Sequence, residues 1–420
     1  MLPTDRDDRV PRAFHVMTKP TGAVCNLDCT YCFYLTKESL YPGSDFRMND
    51  DVLERYVTQL LDAHRGLDEV VVAFQGGEPT LMGLDFFARV IEIEREHRQP
   101  GQRILNTLQT NATLLDDDWG QFLREHDFLV GVSIDGPRHL HDALRVDKGG
   151  KPTFDRVMRG LDVLRRHQVS WNALVTLNAA NAGHGREVYR FLRDDCGAEF
   201  LQLIPVVEST LGAVTAHSVP PAAFGRFLVD VFDEWVRRDV STVFVQHFDT
   251  ALAHWLGMPD AGLCVHAEEC GRSVALEHNG DVYSCDHFVD PSHRIGNLAD
   301  GRTLLQIVDS PQQLAFGRAK RAGLPQYCRD CDVRFACNGG CPKDRISTTP
   351  DGTRGLNYLC EGYREFFRHI DEPMTVMADL LRHGKDADGV MEWVAQQNAV
   401  RAGNDRPGDV LAGLRGAGHE

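Results

Sequence analysis

The chain has 420 residues, a size that allows two or three domains, and its 42% hydrophobic and 25% charged composition is that of an ordinary soluble protein. A net charge of −16 excludes a general binder of nucleic acid or anionic membrane, which would demand excess lysine and arginine, although it leaves room for a local basic pocket. Apolar runs such as FLVGVSI (128–134) fall far short of the roughly 20 residues that span a bilayer, so no membrane partner is expected.

The N-terminal MLPTDRDDRVPRAF lacks an apolar signal core, and a cytoplasmic location follows as the expectation. Twelve cysteines in such a chain point to metal ligation or redox chemistry rather than to disulfides. Residues 1–12 read as an arm. From residue 13 to about 245, short β-rich runs alternate with helical patterns. The strands are AFHVMTKP (13–20), VVVAF (70–74), RILNTLQTN (103–111), FLVGVSID (128–135), VSWNALVTL (169–177) and FLQLIP (200–205). The helices fall at 52–64, with Asn49 or Asp50 as cap, and at 84–97, 116–125, 154–167, 185–195 and 220–240. This βα order predicts an α/β fold with a parallel sheet, open or curled into a partial barrel, and ligand-binding residues at the C-terminal ends of the strands. From about 260 cysteines become dense and helices hard to trace, as in a small metal-stapled region with little core of its own. A terminal helical stretch follows, and the last 25 or so residues read as frayed.

Cys25, Cys29 and Cys32 form C-x3-C-x2-C directly after the first strand. Three thiolates on one loop can hold three irons of a [4Fe–4S] cluster and leave the fourth iron open. A structural zinc site would want a fourth ligand nearby, and His15 reads as a packed histidine instead. Eight further cysteines, Cys264, Cys270, Cys285, Cys328, Cys331, Cys337, Cys341 and Cys360, suffice for two closed [4Fe–4S] clusters or two four-cysteine zinc sites. Cys196 is left over and reads as an ordinary core or loop thiol.

The first motif, with Tyr31 before its last cysteine, resembles the signature of the radical S-adenosylmethionine superfamily. The resemblance implies that the open iron binds the amino and carboxylate groups of S-adenosylmethionine. It also implies that reductive cleavage of the cofactor yields a 5′-deoxyadenosyl radical. GGEP (76–79) resembles that family's loop for the methionine amino group and puts Gly77 at the ligand. Ser133, Asp135 and Arg145 stand where ribose, amine and carboxylate contacts would fall. Without the resemblance they read as a helix cap and a surface arginine. Asn111 and Gln202 are weaker candidates of the same kind. The spacing of the eight later cysteines resembles the SPASM domain. It implies one auxiliary cluster on Cys264, Cys270, Cys285 and Cys341, and another on Cys328, Cys331, Cys337 and Cys360.

Longer stretches, among them CNLDCTYCFYL, FQGGEPTLMGL, LQTNATLL, FLVGVSIDGP, FLQLIP, GDVYSCDHFV and LNYLC, resemble the anaerobic sulfatase-maturating enzymes. The resemblance implies a partial (β/α)6 TIM-like barrel at 13–245, a SPASM domain at 246–370, and a C-terminal helix with a flexible tail at 371–420. It implies three [4Fe–4S] clusters and S-adenosylmethionine as cofactors. The reaction would oxidise a cysteine or serine to Cα-formylglycine in a sulfatase motif: Cys or Ser, any residue, Pro or Ala, any residue, Arg. An electron donor such as flavodoxin or ferredoxin is a further implied partner. Asp286 matches the catalytic base, Tyr34 and Gln75 the substrate pocket, and Val207 a position against the cofactor where the family can have leucine. The rival enzyme class makes thioether or carbon–carbon crosslinks in peptides and often carries a recognition domain that an arm of 12 residues cannot hold. A zinc-binding interaction module and a plain electron carrier are the non-enzymatic rivals.

Overall fold

The computed structural model describes residues 13–210, 213–258 and 262–401. Six strands, β1 (His15–Lys19), β2 (Glu69–Phe74), β3 (Arg103–Thr110), β4 (Leu129–Ser133), β5 (Trp171–Leu177) and β6 (Phe200–Pro205), pair in parallel in chain order. Between them run α1 (Asp50–Ala63), α2 (Leu84–His97), α3 (Asp117–Glu125), α4 (Arg138–His141), α5 (Phe154–Arg166) and α6 (Gly185–Arg190). The result is the expected partial barrel. Its strands are apolar because parallel strands are covered on both faces. Val70, Val72 and Phe74 of β2 are almost wholly buried, and Phe74 meets Phe87 of α2 edge-on. The helix starts obey side-chain chemistry: Asn49 caps α1 by accepting from the Val52 amide at 2.9 Å, and Asp116 caps α3 by accepting from Trp119 at 3.0 Å.

After β6, a two-residue hairpin of β7 (Ser209–Thr210) and β8 (Ala213–Val214) precedes α7 (Pro221–Arg238). Then β9 (Phe244–Val245) extends the sheet beside β6 and leads into α8 (Gln246–Trp255). The region beyond residue 260 differs from its expected character. It contributes β10 (Ser273–Glu277), β11 (Asp281–Tyr283) and β12 (Arg294–Asn297) to the barrel's own sheet, with β10 parallel to β1 along all five residues. It is also far from coreless: Ile295, Leu304, Ile307 and Phe366 belong to the same hydrophobic core as the barrel. Helices hidden in the cysteine-rich sequence are well formed, including Pro311–Ala322, capped by Ser310, which accepts from the Gln313 amide at 3.3 Å.

Helix Cys360–His369 lies on α7 with backbone against backbone. A Cβ on Gly225 would stand 2.7 Å from the Gly362 Cα, so the glycine pair permits the contact. Helices Asp371–Arg382 and Gly389–Arg401 follow and pack on α8 and α7 respectively, so the final helix reaches further than the expected frayed end. The arm of residues 1–12 and the tail beyond 401 lie outside the described residues. Among the described residues no helix is long and apolar enough to cross a membrane.

Candidate active site

A cavity of about 500 Å³ opens at the C-terminal ends of the parallel strands. It is lined by the thiols of Cys25, Cys29 and Cys32, and by Tyr31, Tyr34, Gln75, Gly77, Ser133, Arg145 and Asp286. A shallow groove at the opposite end of the sheet, lined by residues such as Arg103, Ile104 and Leu129, holds no cysteine.

The cysteine loop is held by neighbours distant in sequence. Thr30 and Asp28 donate backbone N–H groups to Leu144 and Val146. Gly77 and Glu78 donate theirs to the carbonyls of Gly22 and Val24. A Cβ on Gly77 would sit 2.0 Å from the Val24 carbonyl oxygen. The space its missing side chain frees is therefore filled by the backbone leading into Cys25, although Gly77 also faces the cavity. Glu78 turns inward and is fully buried. It accepts from the Thr80 and Thr110 hydroxyls and the Asn111 amide at 2.6–2.8 Å. Asn111 in turn points its side-chain amide at the Cys25 sulfur (3.6 Å) and at Asn26 Oδ1 (2.8 Å). Burial, with Glu78 as the next cause, pushes the Cys25 thiol up to about 12, and burial pushes Cys32 to about 11. Such thiols give up their protons to a strongly positive partner, as iron would be.

Asp135 and Arg145 are brought together, but with each other. Arg145 Nε and Nη2 donate to the two Asp135 oxygens at 2.9 and 3.1 Å, and Nη2 also reaches the Thr176 hydroxyl at 3.1 Å. Tyr31 donates its phenol to Asp135 at 2.6 Å. The bidentate pair is nearly solvent-free, with Arg145 on the cavity wall and Asp135 behind it. Val207 departs from its expected place. It is packed in the hydrophobic core, while its neighbours Val206 and Glu208 line the cavity. Its carbonyl accepts from Lys343 Nζ at 2.7 Å, and the same ammonium pairs with Glu208 at 2.9 Å. Gln75 and Gln202 both line the cavity, and the Gln75 side-chain nitrogen is buried there with no partner. Cys196 is packed in the core, as expected of a thiol with no role.

Asp286 follows β11 and enters the cavity beside the three-thiol loop, more than 250 positions along the chain. Its Oδ2 accepts from the Tyr34 phenol at 2.9 Å, and its other oxygen contacts the Lys19 ammonium. Lys19 is fully buried at the end of β1, and the register of β1 on β10 sets it opposite Glu277, whose carboxylate lies 3.4 Å away. Its ammonium also lies 4.8 Å from the centre of the Tyr34 ring. Burial pushes the Asp286 carboxyl up, but Lys19 and His287 outweigh burial and hold it below the usual carboxylate range. Burial alone would lower Lys19; Asp286 and Glu277 reverse that and raise it. Lys19 and Glu277 were not singled out in the sequence. The usable signal was a lysine closing a buried strand, since an ammonium there must have a counter-charge.

The remaining eight thiols separate into two groups. Cys264 is an electrostatic neighbour of Cys270, Cys285 and Cys341, and Cys285 is one of Cys341. Cys328, Cys331, Cys337 and Cys360 line a common cleft. A tetrahedral zinc site with Zn–S bonds of about 2.3 Å would hold its sulfurs about 3.8 Å apart. Among the described residues the one group of three ligating side chains within 4.8 Å of one another is the surface cluster His139, His184 and Glu187, and no three thiols meet that limit.

Residues 20–192 match the Radical SAM superfamily, and residues 264–332 match SPASM, described as an iron–sulfur cluster-binding domain. A serine-type anaerobic sulfatase-maturating enzyme of Bacteroides thetaiotaomicron is 41% identical over 399 residues, covering 91% of this chain and 95% of that one. A cysteine-type anaerobic sulfatase-maturating enzyme of Clostridium perfringens (strain ATCC 13124) is 34% identical over 84% of this chain and 95% of its own length. The solved structure described as native anSMEcpe with bound AdoMet and Cp18Cys peptide superposes with a TM-score of 0.78 at 32% identity, covering 88% of this chain and all of that one. Streptococcus suis SuiB bound to S-adenosylmethionine, at 18% identity and a TM-score of 0.58, shares the fold. With the two sulfatase-maturating relatives each matched along 95% of their length, the chain belongs to the anaerobic sulfatase-maturating enzymes of the Radical SAM superfamily.

Proposed function

We propose that this chain oxidises a cysteine or serine in the motif of a sulfatase to Cα-formylglycine, with S-adenosylmethionine as the source of the radical. The observation that carries the reading is the convergence of the Cys25–Cys29–Cys32 loop and the Lys19–Asp286–Tyr34 group on one cavity. The residues fit the cofactors the family implies. Three thiols and Gln75 line open space, and the other eight thiols suffice in number for two four-thiol clusters. In this reading Cys25, Cys29 and Cys32 would hold the first [4Fe–4S] cluster. Cys264, Cys270, Cys285 and Cys341 would hold a second, and Cys328, Cys331, Cys337 and Cys360 a third. When bound, the first cluster with S-adenosylmethionine supplies the radical that takes a hydrogen atom from the substrate Cβ.

The chain's own residues then account for the rest. Loss of the Cβ hydrogen makes the adjacent O–H or S–H far more acidic, so a weak base suffices. Asp286, kept ionised by Lys19, is placed to accept that proton at Oδ2, the oxygen that Tyr34 orients. One hydrogen atom, one proton and one electron leave the substrate. A serine becomes the aldehyde directly, and a cysteine becomes a thioaldehyde that water converts to aldehyde and hydrogen sulfide. Gln75 and Tyr34 would contact the peptide, and Tyr31, Gly77, Ser133 and Arg145 the cofactor. Arg145 would do so as an arginine already fixed by Asp135. The Val207 segment supports the wall through its carbonyl and through Val206.

Twelve free cysteines suit a reducing compartment, so we place the enzyme in the cytoplasm, served by a donor such as flavodoxin or ferredoxin. Anaerobic reconstitution with Cys- and Ser-containing motif peptides and S-adenosylmethionine tests the reading. The expected product has lost two hydrogens from serine, or two hydrogens with sulfur replaced by oxygen from cysteine. Cofactor cleavage with neither peptide altered would refute it.

A further inference from the structure

Two lysines are fully buried, and they are treated differently. Lys19 has two carboxylates. Lys320 donates instead to three backbone carbonyls, those of Cys264 (2.7 Å), Val265 (3.0 Å) and Ala267. Arg345 follows the same pattern. It donates from Nε to the Gly339 carbonyl at 3.1 Å, from Nη1 to that of Lys320 at 2.6 Å, and from Nη2 to that of Asn338 at 3.1 Å. The foremost ionisable neighbours of Lys320 are Cys270, Cys264 and Cys341, followed by Arg345. Those of Arg345 are Cys328, Cys337, Cys341 and Cys270. Carbonyls satisfy the donors but carry no net charge. Lys320 is buried and Arg345 half-buried, and among the described residues neither sits in an ion pair, so these two charges call for an anion among the thiols.

We propose that Lys320 and Arg345 set the reduction potential of the two C-terminal thiol sites, stabilising the extra negative charge when each takes up an electron. The proposal rests on the reading that these eight cysteines hold iron–sulfur clusters. The reaction supplies the electron: the substrate radical gives up one electron as its proton leaves, and one cluster is reduced by one electron. Two fixed positive charges make that acceptor better. Their placement differs. The foremost thiols about Lys320 are Cys270, Cys264 and Cys341, all of one group, whereas those about Arg345 come from both groups.

The test is a redox titration of reconstituted holoenzyme followed by electron paramagnetic resonance, with iron and sulfide assayed first. Lys320→Gln should weaken electron uptake at one auxiliary site by about tenfold, which is about 59 mV for a one-electron couple. Lys320→Arg should restore it, and Arg345→Gln should move both auxiliary sites. Lys320→Gln or Arg345→Gln with full iron and unchanged potentials overturns the proposal. Should both neutral variants lose iron while Lys320→Arg and Arg345→Lys keep it, the charges serve assembly of the sites rather than their potential, and the proposal falls. Loss of iron in the charge-conserving variants as well overturns it. Wild-type protein holding zinc and no auxiliary iron would refute the cluster reading itself before any variant is compared.

Discussion

The loop carrying Cys25, Cys29 and Cys32 and the eight cysteines beyond residue 263 both gather thiols in a folded chain, by opposite means. The first group lies within eight residues, and the barrel spends its strand ends keeping a cavity open beside it. Charges around that cavity are closed into pairs: Arg145 with Asp135, Lys19 with Asp286 and Glu277, Lys343 with Glu208. The second set is scattered over almost a hundred residues and drawn together by helices and short strands. Its inward cations, buried Lys320 and half-buried Arg345, have thiols rather than carboxylates as their foremost ionisable neighbours. A site that must admit substrates is lined with settled charges, so that nothing competes with the ligand. A closed site can leave its charges for its cofactor to balance.

If the two regions are separable in this way, Cys25→Ala should have the largest effect on chemistry and a modest one on the rest. Cleavage of S-adenosylmethionine should disappear, while iron content falls by only about a third. Loss of most of the iron would break the comparison. Asp286→Asn cuts across it, because Asp286 faces the cavity from beside Cys285. Formylglycine formation should fall by about 10²- to 10⁴-fold with cofactor cleavage retained, as measured by product and 5′-deoxyadenosine in one assay. Full turnover would remove Asp286 from the mechanism.

Gly77→Ala asks whether the open site depends on the contact between the GGEP loop and Val24. The clash with the Val24 carbonyl should cost about 1–3 kcal/mol in denaturant unfolding and loosen the three-thiol loop, leaving the C-terminal iron in place. Glu94→Gln is a control in the barrel wall, away from both regions. Burial pushes the Glu94 carboxyl up to about 7. The folded chain therefore holds a proton that the unfolded chain releases, and stability falls as pH rises from about 4.5 to about 7. Removing the charge should stabilise the protein by up to roughly 3 kcal/mol at pH 8 and by nothing at pH 4, as read from thermal unfolding across pH.

Periodicity alone revealed the parallel sheet, because parallel strands are apolar along their length and their helices have one apolar face; that the sheet curls into a partial barrel came from the resemblance. Periodicity did not reveal β10 to β12. Five residues of SVALE among cysteines and glycines carry too short a pattern, and only pairing with β1 makes them strands. The cysteine motifs were visible as motifs, but the sorting of eight thiols into two groups came from resemblance, since spacing along the chain does not fix proximity in space. Lys19 was hidden for a similar reason: its partners Glu277 and Asp286 arrive about 260 positions later through a strand register. Gly77 was noticed for its missing side chain, but the neighbour it accommodates is backbone.

The pairing of β1 with β10 also dictates an order of events during synthesis. Until Ser273–Glu277 has left the ribosome, β1 is an edge strand with an unsatisfied row of backbone groups. The loop bearing the first three thiols hangs from the end of that unfinished edge, and Lys19 has neither of its counter-charges. The earliest thiols to be translated are thus among the last to reach their final surroundings. Assembly of the radical-generating centre is coupled by topology to completion of the far end of the chain, so a truncated nascent chain would not carry a finished one.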